Sequence, residues 1–410
     1  MDFREILTII IVLAAVFAYV NHRFIKLPPT IGIMALSLIS SLLIALTGNS
    51  RSILSEKAIE LVSSVDFNDL LMNFMLSFLL FAGSIHVDAS KLKAQLGPVA
   101  LLALLGTVVS TLLVGGGMWY LFSFFGASIP LVYCLLFGAL ISPTDPVAVL
   151  GILKDAKIPE SLELKISGES LFNDGVGVVL FITISEVARS TTGHFSWGET
   201  LLLFSREAIG GLVFGALLGY IGYLAIRSID DYKVEVLITI ALVLGGYLLA
   251  DKLHVSGPLA MVVAGIITGN KVKHEAMSDV TRDYLGKFWE LVDEILNAVL
   301  FLLIGLEILT IKTDSIIFVI GLLTIPLVLA IRWISVFFPL LLLRKWMLFE
   351  KNVVTILTWG GLRGGISVAL ALSLTKDMHR DEFTLITYVV VVFSILVQGL
   401  SIGNLAKKLQ

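Results

Sequence analysis

Runs of roughly 20 mostly apolar residues recur along this 410-residue chain, and nothing else in the sequence restricts its fold as tightly. Thirteen are recognised, at about 4–21, 28–46, 67–86, 98–124, 128–152, 163–187, 199–226, 234–251, 257–270, 287–309, 315–342, 352–374 and 382–406. Backbone in lipid must satisfy its own hydrogen bonds, and runs of this length do so as helices. The expected fold class is an all-α polytopic membrane protein of about 13 transmembrane helices, with the lipid bilayer as its surroundings. Only 15% of the residues are charged, against about 25% in soluble domains. No basic tract suggests nucleic acid, and no stretch is polar and long enough for a soluble regulatory domain. The single cysteine, Cys134, excludes an internal disulfide. The run Ile6–Val20 lacks a strongly basic flank and a small-x-small cleavage site, so it is read as a span rather than a signal peptide. Lys271–Arg282 reads as a surface amphipathic segment.

Orientation follows from Lys and Arg in the loops. With thirteen spans the termini lie on opposite sides. One alternating set of loops carries eighteen of these cations and the other nine, with Arg332 and Arg363 inside spans. The bias places the N-terminus outside and the C-terminus in the cytoplasm of a cell (inner) membrane.

The sixth span opens with Ser167-Gly-Glu-Ser-Leu-Phe-Asn-Asp-Gly-Val-Gly177. As one helix, it puts Ser170 and Asp174 one turn apart, with Glu169 and Asn173 on the neighbouring face. Two carboxylates in a helix otherwise fit for lipid mark an ion or proton path. The blander alternative makes Glu169 a capping residue and leaves only Asp174 buried.

Two other spans are interrupted. In Ser142-Pro-Thr-Asp-Pro146, two prolines bracket Thr144 and Asp145. Each proline removes a donor and disfavours helix before it, so the fifth span is expected to break at mid-membrane, with carbonyls free around Thr144. A plain proline kink with Asp145 as a local cap is the alternative. In Thr358-Trp-Gly-Gly-Leu-Arg-Gly-Gly365, four glycines flank Arg363, which needs a counter-charge or a wet cavity. The two interruptions fall in matching places of two three-span units of opposite orientation. That arrangement predicts inverted repeats with two crossed, interrupted helices and a midplane site. Asp145 and Arg363 would offset the half-helix ends.

Asp174, Asp145, Ser170 and Thr144, with Asn173 nearby, are hard oxygen donors that suit an alkali cation and no transition metal. Glu169 is the expected partner of Arg363, which leaves Asp174 to exchange a proton for a cation. Competition for one acid is sufficient for one-for-one antiport, with no cofactor and no enzymatic role. A second acid at position 173 would make transport electrogenic. Glu186, Glu294 and Asp66 are placed at span ends, with Glu307 the first exception to consider. Na⁺ (or Li⁺)/H⁺ exchange leads, a K⁺/H⁺ antiporter of the same mechanism is the nearest rival, and an organic-anion symporter of the same fold is the rival from another class. The last needs several cations facing a large cavity, and only Arg363 and Arg332 are available.

Thr144-Asp145-Pro146, Gly168-Glu-Ser-Leu-Phe-Asn-Asp-Gly175 and Gly360-Gly-Leu-Arg-Gly364 together resemble the motifs of the cation:proton antiporter superfamily, in its order. The likeness is to the Asn-Asp branch, which includes NhaP-type bacterial and archaeal sodium/proton antiporters. The resemblance implies an NhaA-like fold and a homodimer. It also implies an ion-translocating core, roughly parts of 67–187 and 287–410, that moves against a dimerisation scaffold, roughly 1–66 and 199–270 with parts of 271–309. By the same resemblance Asp174 carries the transported cation or proton, Asn173, Ser170, Thr144 and Asp145 surround it, and Glu169 pairs with Arg363. Exchange would be electroneutral and would serve pH homeostasis. The chain departs from some relatives in having no acid near Ala82-Gly83.

Overall fold

The computed structural model describes residues 2–47, 53–64, 67–145, 147–189, 197–272, 279–311, 314–343 and 352–409. Helices cover each of the thirteen predicted spans. They are α1 (Phe3–Val20), α2 (Pro29–Thr47), α3 (Phe67–Ile85), α4 (Leu96–Phe124), α5 (Leu131–Ile141), α6 (Val147–Asp155), α7 (Glu160–Arg189), α8 (Trp197–Arg227), α9 (Tyr232–Lys252), α10 (Gly257–Ile267), α11 (Asp279–Glu307), α12 (Ser315–Leu343), α13 (Val353–Gly360), α14 (Gly365–Leu372) and α15 (Arg380–Leu409). The fifth span is the broken pair α5/α6 and the twelfth is α13/α14. Nine helices among the described residues are long and apolar enough to cross a membrane. Residues 273–278, the middle half of the segment Lys271–Arg282, lie outside the described residues, as does Pro146.

Small residues let the short ninth span bury itself. On α8, Gly211, Gly215 and Gly219 recur every fourth position and face Ser256, Ala260 and Ala264, which do the same across to α10. A Cβ on Gly215 would lie 2.7 Å from the Ala260 Cα, so the two backbones touch. The other side of α10 meets α3, where Gly265 lies against Ser84 and the Phe81 carbonyl. α11 packs beside α3 and α2, and the Ser37 hydroxyl donates to the Leu302 carbonyl at 2.7 Å. α3, α10 and α11 therefore form one continuous wall.

The two interrupted spans cross. The linker Ser142–Asp145 and the linker Gly361–Gly364 run antiparallel, and the Asp145 amide donates to the Leu362 carbonyl at 2.8 Å. Neither linker can satisfy itself as helix, so each satisfies part of the other. The Arg363 amide donates to Ser394 Oγ at 2.9 Å, which ties the crossing to α15.

Candidate functional site

α7 carries the polar stretch into the crossing. Its residues Glu169, Ser170, Asn173 and Asp174 are all buried. Asn173 does most of the stitching. Its Nδ2 donates to Thr144 Oγ1 and to Glu169 Oε1, both at 2.8 Å, and its Oδ1 accepts from the Thr144 amide at 3.2 Å. Thr144 Oγ1 and Ser170 Oγ share a further hydrogen bond at 2.8 Å. The broken fifth span is thereby clamped to α7 through Thr144. Asn173 is committed to this clamp on both ends of its amide.

Arg363 donates through Nη1 to the Ser142 carbonyl and, at 3.0 Å, to the Pro143 carbonyl. These carbonyls close the C-terminal end of α5, where a cation is favoured. The Asp145 carboxylate lies against Gly364, at the start of α14, where a negative charge is favoured. A Cβ on Gly364 would sit 2.6 Å from the Asp145 Cβ, so only glycine fits there.

The ion pair expected between Glu169 and Arg363 is not formed. Arg332 of α12 takes that place, with Nη1 on Glu169 Oε1 and Nη2 on Glu169 Oε2, each at 2.8 Å. Two features decide the outcome. The extended backbone of the crossing spends the Arg363 side chain on carbonyls of α5. Gly361 opens a passage for the other arginine, because a Cβ there would lie 2.7 Å from Arg332 Nε. The sequence signal was a second cation inside a span, but it did not state which arginine reaches α7.

Asp174 is 7% exposed, and its Oδ1 has no hydrogen-bond partner. It faces a cavity of about 620 Å³. One wall comes from α7 and the crossing, with Asp174, Thr144, Asp145 and Gly365. The opposite wall comes from α3 and α11, with Gly83, Asp293 and Asn297. The cavity reaches the end of the bundle that carries His86, Lys91, Lys154 and Glu160. There Lys91 bridges to Glu160, and Lys154 pairs with Glu163 at 3.2 Å.

The structure thus gathers Asp174, Asp145, Thr144, Ser170 and Asn173 at one depth, and sets Glu169 beside them but on Arg332. Residues of α11 on the cavity, Glu290, Asp293 and Asn297, were not among the sequence candidates. They sit in a span whose first turns carry several charges. Glu307, at the far end of α11, accepts from Thr310 Oγ1 at 2.7 Å and does not line the cavity. Among the described residues, no group of three or more His, Cys, Asp or Glu side chains is arranged to hold a metal ion.

The family model described as sodium/hydrogen exchanger, transmembrane, matches residues 11–408. The Na⁺/H⁺ antiporter NhaP of Pseudomonas aeruginosa is 49% identical over 414 aligned residues, which span 99% of this chain and 96% of that protein. The Na⁺/H⁺ antiporter NhaH of Halobacillus dabanensis is 34% identical, over 99% of this chain and 98% of that one. Among solved structures, the sodium proton antiporter MjNhaP1 from Methanocaldococcus jannaschii shares the fold, with a TM-score of 0.76 at 23% identity over 100% of this chain and 99% of that one. This chain belongs to the transmembrane sodium/hydrogen exchanger family.

Proposed function

We propose that the protein is an electroneutral antiporter that exchanges Na⁺ or Li⁺ for H⁺, one for one, with both competing for Asp174. The observation that carries this reading is the Asp174 carboxylate, 7% exposed, which lines a cavity and has one oxygen unclaimed by any donor. The bare carboxylate is costly at that depth, and either a proton or a monovalent cation removes the cost. Asp145, Thr144 and Ser170 add hard oxygens that suit an alkali cation. Asn173 holds Thr144 in place and contributes through that geometry. The names of the relatives support Na⁺ as the cation.

The loops at the cavity mouth carry Lys91, Lys93, Lys154 and Lys157, so we assign this end to the cytoplasm of the cell membrane and the conformation to the inward-open form. The core is α4–α7 and α12–α15, and we group α3 with the scaffold because it packs on α10 and α11. The working unit is a homodimer by likeness to the family.

The test is proton movement in proteoliposomes driven by Na⁺, Li⁺ or K⁺, with the membrane potential free or clamped. Na⁺ or Li⁺ responses that ignore voltage and vanish in Asp174→Asn support the reading. A response to K⁺ alone reassigns the cation. No response to any of the three overturns it.

A further inference from the structure

The cavity wall opposite Asp174 carries its own acids. On α11, Glu290, Asp293, Asn297 and Leu300 recur at three- and four-residue steps, which places them on one stripe, and all four line the cavity. Glu294, one position away, is exposed and does not. Asn297 is only 3% exposed, and its amide donates to the Asp293 carbonyl at 2.9 Å, which fixes the turn that presents Asp293. Asp293 interacts electrostatically with Asp145 across the cavity. No Lys or Arg among the described residues pairs with Asp293.

We infer that Asp293 is a second carboxylate for the transported monovalent alkali cation, attracting it from the scaffold side and setting its affinity. The inference rests on the antiport reading of Asp174. Three carboxylates from three elements, Asp174, Asp145 and Asp293, line one cavity, so a charge on Asp293 adds to the attraction that this space exerts on a cation. The Asp174 side chain, nearly sealed from water and with no donor on Oδ1, lines that same space. All three carboxylates are hard oxygen donors, the kind an alkali cation prefers, and Thr144 lines the same cavity. α3 supplies no acid to this wall. Its cavity residue is Gly83, where a Cβ would meet only Leu171 Cδ1, at 3.7 Å.

The test compares wild type, Asp293→Asn, Asp293→Glu and Gly83→Glu/Asp293→Asn by Na⁺-driven proton movement and by equilibrium binding of radiolabelled Na⁺ to purified protein. Asp293→Asn is expected to raise KM and Kd for Na⁺ about tenfold with kcat within about twofold, the size of one screened unit-charge interaction. Asp293→Glu stays near wild type, and Gly83→Glu in the Asp293→Asn background recovers most of the affinity because the side chain has room. Unchanged KM and Kd in Asp293→Asn overturn the inference, as does a loss confined to kcat. Wild-type protein that binds Na⁺ through Asp293 but moves no protons overturns the antiport reading instead.

Discussion

Removing the Arg332 side chain tests the pair that anchors the site. Arg332 makes two 2.8 Å contacts with Glu169, and both side chains are nearly inaccessible to solvent. In Arg332→Ala, Glu169 keeps only the Asn173 amide as a donor. Leaving one partner of a buried ion pair alone costs about 3–5 kcal/mol. That is a large part of the about 5–15 kcal/mol by which folded proteins exceed their unfolded chains. The thermal midpoint of purified protein in detergent should fall by on the order of 10 °C. Glu169→Gln/Arg332→Gln removes both charges and keeps an acceptor for Asn173, so it should regain at least about half of the loss. Arg363→Gln serves as the contrast, because its hydrogen-bond partners are the Ser142 and Pro143 carbonyls, and its cost should couple to that of Glu169→Gln more weakly than that of Arg332→Gln does. A midpoint for Arg332→Ala within about 2 °C of wild type, on the same scale, would refute the reasoning. So would a double variant less stable than either single one.

Gly361→Ala forces a Cβ to within 2.7 Å of Arg332 Nε, and should cost about 1–3 kcal/mol by displacing the guanidinium, read as a lowered melting midpoint that a second change at Arg332 does not deepen. Competition at a single carboxylate predicts that acidification raises the apparent KM for Na⁺ by up to about tenfold per pH unit while leaving kcat alone, measured as Na⁺-driven proton movement across a pH series.

The broad fold was legible because lipid leaves the backbone so few options. Apolar length gave the helices, and Pro143 with the glycines around Arg363 gave the two breaks. Sequence also brought Asp145, Thr144, Ser170, Asn173 and Asp174 together, since two short motifs and one helical turn suffice to place them. What it missed depends on contacts between distant spans. Glu169 and Arg332 are 163 positions apart, and their pairing depends on the passage at Gly361 and on how the crossing spends Arg363. Asp293 was missed for a different reason. Its turn of α11 is rich in Glu and Asp, and only the packing of α11 against α3 decides which acid faces inward.

The same geometry changes what a second acid at position 173 would do. The core side of the site, counted without Asp293 of the scaffold wall, holds three acids, Glu169, Asp145 and Asp174, and two cations, Arg332 and Arg363. It is charge-balanced when Asp174 carries one proton or one monovalent cation, and unbalanced when it carries neither. That balance couples the two ions without any further device, since the loaded forms cross the low-dielectric layer at less cost than the empty one. In Asn173→Asp, the new side chain faces Glu169 Oε1 across a 2.8 Å contact that the amide now fills as a donor. A carboxylate has no hydrogen to give, so the contact re-forms only with a proton held at position 173. The added acid then mimics the amide and moves no extra charge. Asn173→Asp should therefore exchange Na⁺ for H⁺ more slowly and at a lower melting midpoint, yet remain insensitive to membrane potential. Proteoliposome fluxes that become voltage-driven in this variant would show that position 173 opens to the ion path, and that its role is more than clamping Thr144 to Glu169.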